Sequence, residues 1–168
     1  MAVNIAFTSA VNKPGQDILL TADDVWKGIV MSVRQPQDFV DYISKVDILE
    51  DTGSTMRRVL HFVEGASHTA PGGELHQDVT FVPNYKVEFI AAATGKVTMS
   101  VSKEADADDD GEALVYLTQS FEVAYPPGVE SGSEKAREMD NHFAKIARSN
   151  VASNIQSFRD MKAKRQAL

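Results

Sequence analysis

Four side-chain amides carry the most legible chemistry in this chain. Gln77 and Gln119 stand inside runs that otherwise alternate apolar and polar residues, at positions where an apolar residue belongs. Asn150 and Asn154 lie one helical turn apart, beside the small Ala147, in the middle of a long helical pattern with apolar ends. A dry core would place Leu or Ile there, because an unpaired buried amide costs about 1–3 kcal/mol. Two arrangements answer that cost. In one, the amides face an apolar chamber lined by Phe81, Tyr85, Phe89, Met99, Phe121 and Phe143, the usual make-up of a small-molecule site. In the other, they hydrogen-bond to one another and to backbone within a filled core.

Other chemistries fit the residues less well. Asp106-Ala-Asp-Asp-Asp-Gly111 matches the first half of an EF-hand loop, but the closing glutamate position is Leu117, inside a strand pattern. It reads as a solvated hairpin tip. His61, His68, His76 and His142 keep no metal-site spacing. Alternation turns His76 and Asp78 outward, so a two-histidine, one-carboxylate iron site does not converge. The absence of cysteine excludes disulfides, thiolate catalysis and Cys-ligated zinc. There is no Gly-x-Ser-x-Gly elbow, and Gly72-Gly73 is too isolated to cradle a phosphate. No cofactor and no metal is implied.

The 168 residues suffice for one domain with a real core, taken as residues 1–168, and are few for two. A formal charge of -7 argues against nucleic acid as a partner, since phosphate binding needs clustered Lys and Arg. The short basic stretch Lys162-Ala-Lys-Arg165 complements a helix C-terminus instead. No apolar run reaches the ~18–20 residues of a membrane span, and no basic-then-apolar leader opens the chain. A cytoplasmic location is the expectation. Nothing in the sequence sets an oligomeric state.

Positioning those side chains requires particular elements. Val3, Ile5 and Phe7 alternate with polar or small residues as a half-buried strand. Thr21-Ala-Asp-Asp caps a helix with Val25, Trp26, Ile29, Val30 and Val33 on one face. Pro36 opens a second short helix carrying Phe39, Val40 and Ile43. Six alternating runs follow: 46–50, 57–63, 75–81, 85–91, 97–101 and 115–123. In the second of these, Leu60 and Phe62 are placed inward and His61 outward. His61 and His76 then share the wet face of neighbouring strands. Ser131-Gly-Ser-Glu134 reads as a capping box for a final helix of about 30 residues, about 45 Å long. Met139, Phe143, Ile146, Asn150, Asn154, Phe158 and Met161 fall on one face of it, with Arg137, Lys145, Arg148 and Arg159 away from that stripe. Tight turns make consecutive strands antiparallel neighbours, and one sheet face needs cover that only this helix is large enough to give.

That order of elements resembles the helix-grip fold of START domains, polyketide aromatases/cyclases and the birch-pollen allergen superfamily. More closely, the chain is similar to the AtaL-like domains of unknown function. The residues carrying the likeness are Val3-Asn-Ile-Ala-Phe-Thr8, Leu20-Thr-Ala-Asp-Asp-Val-Trp-Lys-Gly28, Arg34-Gln-Pro-Gln-Asp-Phe-Val40 and Phe81-Val-Pro-Asn-Tyr-Lys-Val-Glu-Phe89. The resemblance implies an α+β fold: a curved seven-stranded antiparallel sheet, in the order β-α-α-β6-α, wrapped around the long C-terminal helix. It also implies a hydrophobic cavity and a small-molecule ligand. The expected role is binding a polyketide or terpenoid intermediate and guiding a cofactor-free cyclisation or isomerisation, a pericyclic one included. The alternative is a non-catalytic carrier or ligand-responsive binding module. A filled structural adaptor is the third reading.

One expectation concerns calcium. Without the closing glutamate, millimolar calcium leaves the melting temperature unchanged, because stabilisation grows only with occupancy of a real site. A large increase with calcium that magnesium does not reproduce overturns the reading of Asp106 to Asp110 as a solvated tip.

Overall fold

The computed structural model describes residues 2–64, 73–91, 95–104 and 114–166. His68, Gly72 and the acidic run Asp106 to Asp110 lie outside those residues. Strand β1 (Ala2–Ala10) is followed by helix α1 (Ala22–Arg34), a single 3-10 turn (Pro36–Asp38), and strands β2 (Ile43–Asp51), β3 (Thr55–Phe62), β4 (Glu74–Val82), β5 (Lys86–Ala91), β6 (Gly95–Lys103) and β7 (Val115–Ala124). Helix α2 (Glu134–Gln166) ends the fold. The strands form one antiparallel sheet in the order β1-β7-β6-β5-β4-β3-β2. A six-stranded meander thus has β1 added beside its last strand, leaving β1 and β2 as the edges.

Local chemistry explains the boundaries. Thr21 and Asp24 form a reciprocal capping box at the start of α1, and Asp23 and Asp24 sit in its positive first turn. The second helix of the sequence reading shrinks to the turn Pro36–Asp38. Val40 to Tyr42 run on as coil, and Ile43 opens β2 instead of ending a helix. Three residues after a proline give too few hydrogen bonds to propagate a helix. The cap of α2 also moves. Ser133, not Ser131, accepts from the backbone N–H of Ala136 at 3.2 Å, with Gly132 in the left-handed conformation before it. The register of β3 follows the favoured one: Leu60 is buried, Phe62 is half-buried, and His61 reaches outward to Asp47 and Glu74. His61 and His76 do not pair, because His61 lies opposite Glu74 and His76 opposite Val59.

Helix α2 crosses β1 and β7 and packs against α1. Its buried residues include Val151, Ile155 and Arg159 besides Ala147, Asn154 and Phe158. Arg159 therefore lies inside and not away from the stripe. It donates to the carbonyls of Val11 (2.7 Å) and Ile18 (3.1 Å) and to Gln16 Oε1 (2.9 Å), tying the loop before α1 to α2. Lys162 completes the tie on Leu19 O and the Asp24 carboxylate. Burial alone would raise the Asp24 pKa, but the Lys162 and Thr21 hydrogen bonds outweigh it and hold the carboxyl below its ordinary range. This contribution is complete above the ordinary Asp pKa and fades as pH falls through the lowered one.

Among the described residues, buried apolar side chains gather in three clusters. The first joins α1, the C-terminal half of α2 and the sheet around Val87 and Leu117; the second joins Val3, Phe121 and Val123 to Ala147; the third holds Ile43, Leu60 and Leu75. The two helices of the first cluster touch closely at Gly28, where an added Cβ would lie 2.4 Å from the Phe158 ring. Gly28→Ala is expected to lower stability by about 1–3 kcal/mol through overpacking, despite the better helix propensity of alanine. Adding Phe158→Leu should recover part of the loss. Denaturant midpoints of the two variants check this, and an unchanged midpoint for Gly28→Ala refutes the close approach.

Candidate functional site

The three clusters do not close on one another. Between them lies a cavity of about 440 Å³, bounded by the sheet, α2, the end of α1 and the segment around Tyr42. Of the expected lining, Gln77, Phe89, Met99 and Gln119 face it from the sheet. Phe121 joins them from β7, while Phe143, Asn150 and Asn154 close it from α2. Phe121 and Phe143 meet with ring centroids 5.3 Å apart.

Two expected residues lie elsewhere. Tyr85 belongs to the turn between β4 and β5, where Asn84 takes a positive φ of 59°, and its side chain is 53% exposed beneath Lys86. Strand β5 starts at Lys86, one residue later than the alternation suggests, so parity no longer holds at Tyr85. Phe81 is inward and buried, but it sits in the filled first cluster with the Arg34 guanidinium 5.2 Å from its ring centroid.

The residue the sequence reading missed is Arg58. It is 4% exposed and lines the cavity. Its Nε and Nη2 donate to Gln77 Oε1 at 3.0 and 2.7 Å, and its Nη1 donates to the Val33 carbonyl at the C-terminal end of α1. That carbonyl is one of the orphan acceptors at the negative end of the helix dipole. The guanidinium also stands 5.1 Å from the centroid of Phe89. No carboxylate pairs with it among the described residues. Burial pushes its pKa down to about 10, so it stays cationic near neutral pH. A signal for it was present: Leu60 and Phe62 inward places Arg58 inward by strand alternation.

Other polar groups also stand on the wall. The hydroxyl of Ser32 is committed to the Ile29 carbonyl at 2.8 Å. Asn150 lies within hydrogen-bonding reach of the Tyr42 hydroxyl; burial raises the Tyr42 pKa, and the Asn150 amide opposes that only in part. The phenol therefore keeps its proton. Tyr42 stacks on Phe62 with centroids 6.4 Å apart. A recess of about 260 Å³ adjoins the chamber here, sharing Tyr42, Ser149 and Asn150 and adding the exposed Asp41 and Ser153. Gln119 and Asn154 are each 6% exposed, and Gln119 Oε1 has no hydrogen-bond partner among the described residues. Among the described residues no group of three or more His, Asp or Glu side chains is placed to hold a metal ion. No described helix is long and apolar enough to cross a membrane.

Comparison with known proteins places this arrangement. The family described as "Acetylaranotin biosynthesis cluster protein L" matches residues 5–165. A relative so described, from Aspergillus terreus (strain NIH 2624 / FGSC A1156), is 30% identical over 162 residues, covering 95% of this chain and 89% of its own length. Among solved structures, the Zhui aromatase/cyclase from Streptomyces sp. R1128 is similar with a TM-score of 0.59 at 16% identity, covering 100% of this chain and 97% of that one. The di-domain aromatase/cyclase StfQ from the steffimycin biosynthetic pathway gives 0.63 at 11% identity over 99% of this chain, which spans 53% of StfQ. Truncated norcoclaurine synthase from Thalictrum flavum gives 0.54 at 15% identity, covering 92% of each chain. At these identities the structural likenesses establish the fold, which is the helix-grip fold.

Asn154 makes no side-chain hydrogen bond among the described residues, although it is buried. Asn154→Leu is accordingly expected to hold or raise stability, by up to about 1 kcal/mol, since it removes an amide without stranding a partner. A urea midpoint lowered by the equivalent of about 1–3 kcal/mol would show a structural amide instead.

Proposed function

The chain belongs to the family of acetylaranotin biosynthesis cluster protein L, and on that premise we propose that it binds a hydrophobic polyketide or terpenoid intermediate of secondary metabolism in the chamber and guides its cofactor-free cyclisation or isomerisation. One observation carries this reading. A buried guanidinium with no carboxylate partner among the described residues stands on a mostly apolar wall. A protein that only needed to fill its core would place an aliphatic residue there, because an unpaired buried charge is costly.

The chemistry follows from that charge. A ligand carbonyl oxygen set against Arg58 acquires negative charge as electrons shift toward it during a ring closure or rearrangement in which any migrating proton passes within the substrate. In a site of low dielectric a fixed cation stabilises that charge more strongly than water does. The apolar wall from Phe89 to Phe143 holds the chain of the substrate in a folded, reactive shape, converting an improbable encounter into a bound geometry. Tyr42, protonated at neutral pH, borders the adjoining recess. The family name points to a biosynthetic cluster, and two of the structural neighbours are described as aromatase/cyclases. Both support a role on such an intermediate.

The runner-up, a carrier that binds without converting, is favoured by one feature. Among the described residues the chamber wall bears no carboxylate or histidine that would serve as a general base. Reactions whose proton or electron movements are internal to the substrate need no such base. Incubating the protein at substoichiometric amounts with a chain-length series of linear β-polyketones separates the two. The cyclase reading expects accumulation of a cyclic isomer, with Arg58→Met slowing it about 10²-fold. Stoichiometric binding without any new isomer establishes the carrier, and turnover unaffected by Arg58→Met removes the role given to the guanidinium.

A further inference from the structure

We infer that Gln119 forms a second recognition pole in the chamber, specific for a hydroxyl group at the end of the ligand remote from Arg58. This rests on the reading of the chamber as a ligand site. Gln119 lies on β7 and Arg58 on β3, with three strands between them. Four strand spacings of ~4.8 Å separate the two poles by about 19 Å along the sheet.

Gln119 has nowhere else to turn. Its cross-strand neighbours on the same face are Met99 and Phe7, and the residues two positions away on its own strand are Leu117 and Phe121. None of them offers a strong hydrogen-bonding group. Its amide oxygen is buried without a partner among the described residues, a condition rare in native interiors unless water or a ligand answers it. Asn154 brings a second buried amide to the chamber from α2.

The pairing of group types selects the ligand group. A hydroxyl donates one hydrogen bond and accepts others, so its O–H satisfies Gln119 Oε1. A carbonyl or an ether accepts only, and leaves the Gln119 oxygen unpaired. Failing to pair a buried polar group discriminates more strongly than adding or removing a methylene does. The ligand class is therefore a bifunctional molecule: a carbonyl or carboxylate end for Arg58, an apolar middle, and a free hydroxyl at the far end.

The probes are rods of two lengths, biphenyl-4-carboxylate and terphenyl-4-carboxylate, each carrying hydrogen, hydroxyl or methoxy at the far para position. Affinities are read by calorimetric titration of the full chain. The expected result is that, for one of the lengths, the hydroxyl improves affinity about tenfold over both hydrogen and methoxy. Gln119→Leu should erase that advantage while leaving the affinity of the hydrogen-bearing probe unchanged or higher. Thermal melting of the variant confirms that it folds. Carboxylates that bind with no preference for hydroxyl over methoxy, or with a preference that survives in Gln119→Leu, overturn the second pole and leave the Arg58 reading standing. No binding of any probe by the wild-type chain overturns both.

Discussion

One helix cannot cover seven strands. Strands spaced at ~4.8 Å make this sheet about 29 Å wide, whereas a helix with its side chains is only about 10–12 Å across. Helix α2 is long enough, about 50 Å for its 33 residues, but it lies over β1 and β7, and α1 covers part of what remains. The sheet surface between these covers and β3 is left to the short segment around Phe39 and Tyr42. Apolar side chains close what they can, forming three clusters with a gap at their junction. The chamber follows from this mismatch of widths, held open by the rigidity of elements that cannot bend to fill it.

The ends of α2 keep the gap from collapsing. At its C-terminal end Arg159 and Lys162 bind backbone carbonyls of the loop from Val11 to Leu19, and Phe158 seats against Gly28. Toward its N-terminal end Tyr125 donates to Asp140 at 2.9 Å, and Phe143 rests on Phe121. The helix is anchored on both sides of the chamber, so its polar centre need not pack. That division explains why Asn150 and Asn154 stand where an ordinary core helix carries Leu or Ile. The Arg58 guanidinium is fixed in a comparable way. The Val33 carbonyl and Gln77 use three of its five donors, which sets its plane without neutralising its charge. A cation prepared in this manner needs no reorganisation when negative charge develops near it.

Alternation and caps made much of the architecture legible in the residues themselves. The parity of β3 to β7, the capped start of α1 at Thr21, the long C-terminal helix and the amides on the chamber wall all rest on local rules: a two-residue strand period, a 3.6-residue helix period and side-chain capping of orphan N–H groups. The family resemblance added the way these elements wrap. What local rules could not settle lay at element ends. The turn at Asn84 removed Tyr85 from its strand, Pro36 supported one turn and not a helix, and the cap of α2 fell at Ser133, because ends are chosen by competition with neighbouring packing.

Only the tertiary structure decided which inward residues meet empty space and which meet atoms. Phe81 and Phe89 are indistinguishable by sequence pattern; α1 packs over the first and the chamber lies beside the second. Arg159 looked solvated by helical periodicity, yet a loop nearly 150 residues earlier in the chain supplies the carbonyls that bury it. Arg58 was implied inward by the parity of Leu60 and Phe62, but its value as a site depends on Val33 and on the gap in front of it, both set by long-range packing. Periodicity assigns a side chain to a face. Whether that face is filled, charged or hollow depends on what another part of the chain brings to it.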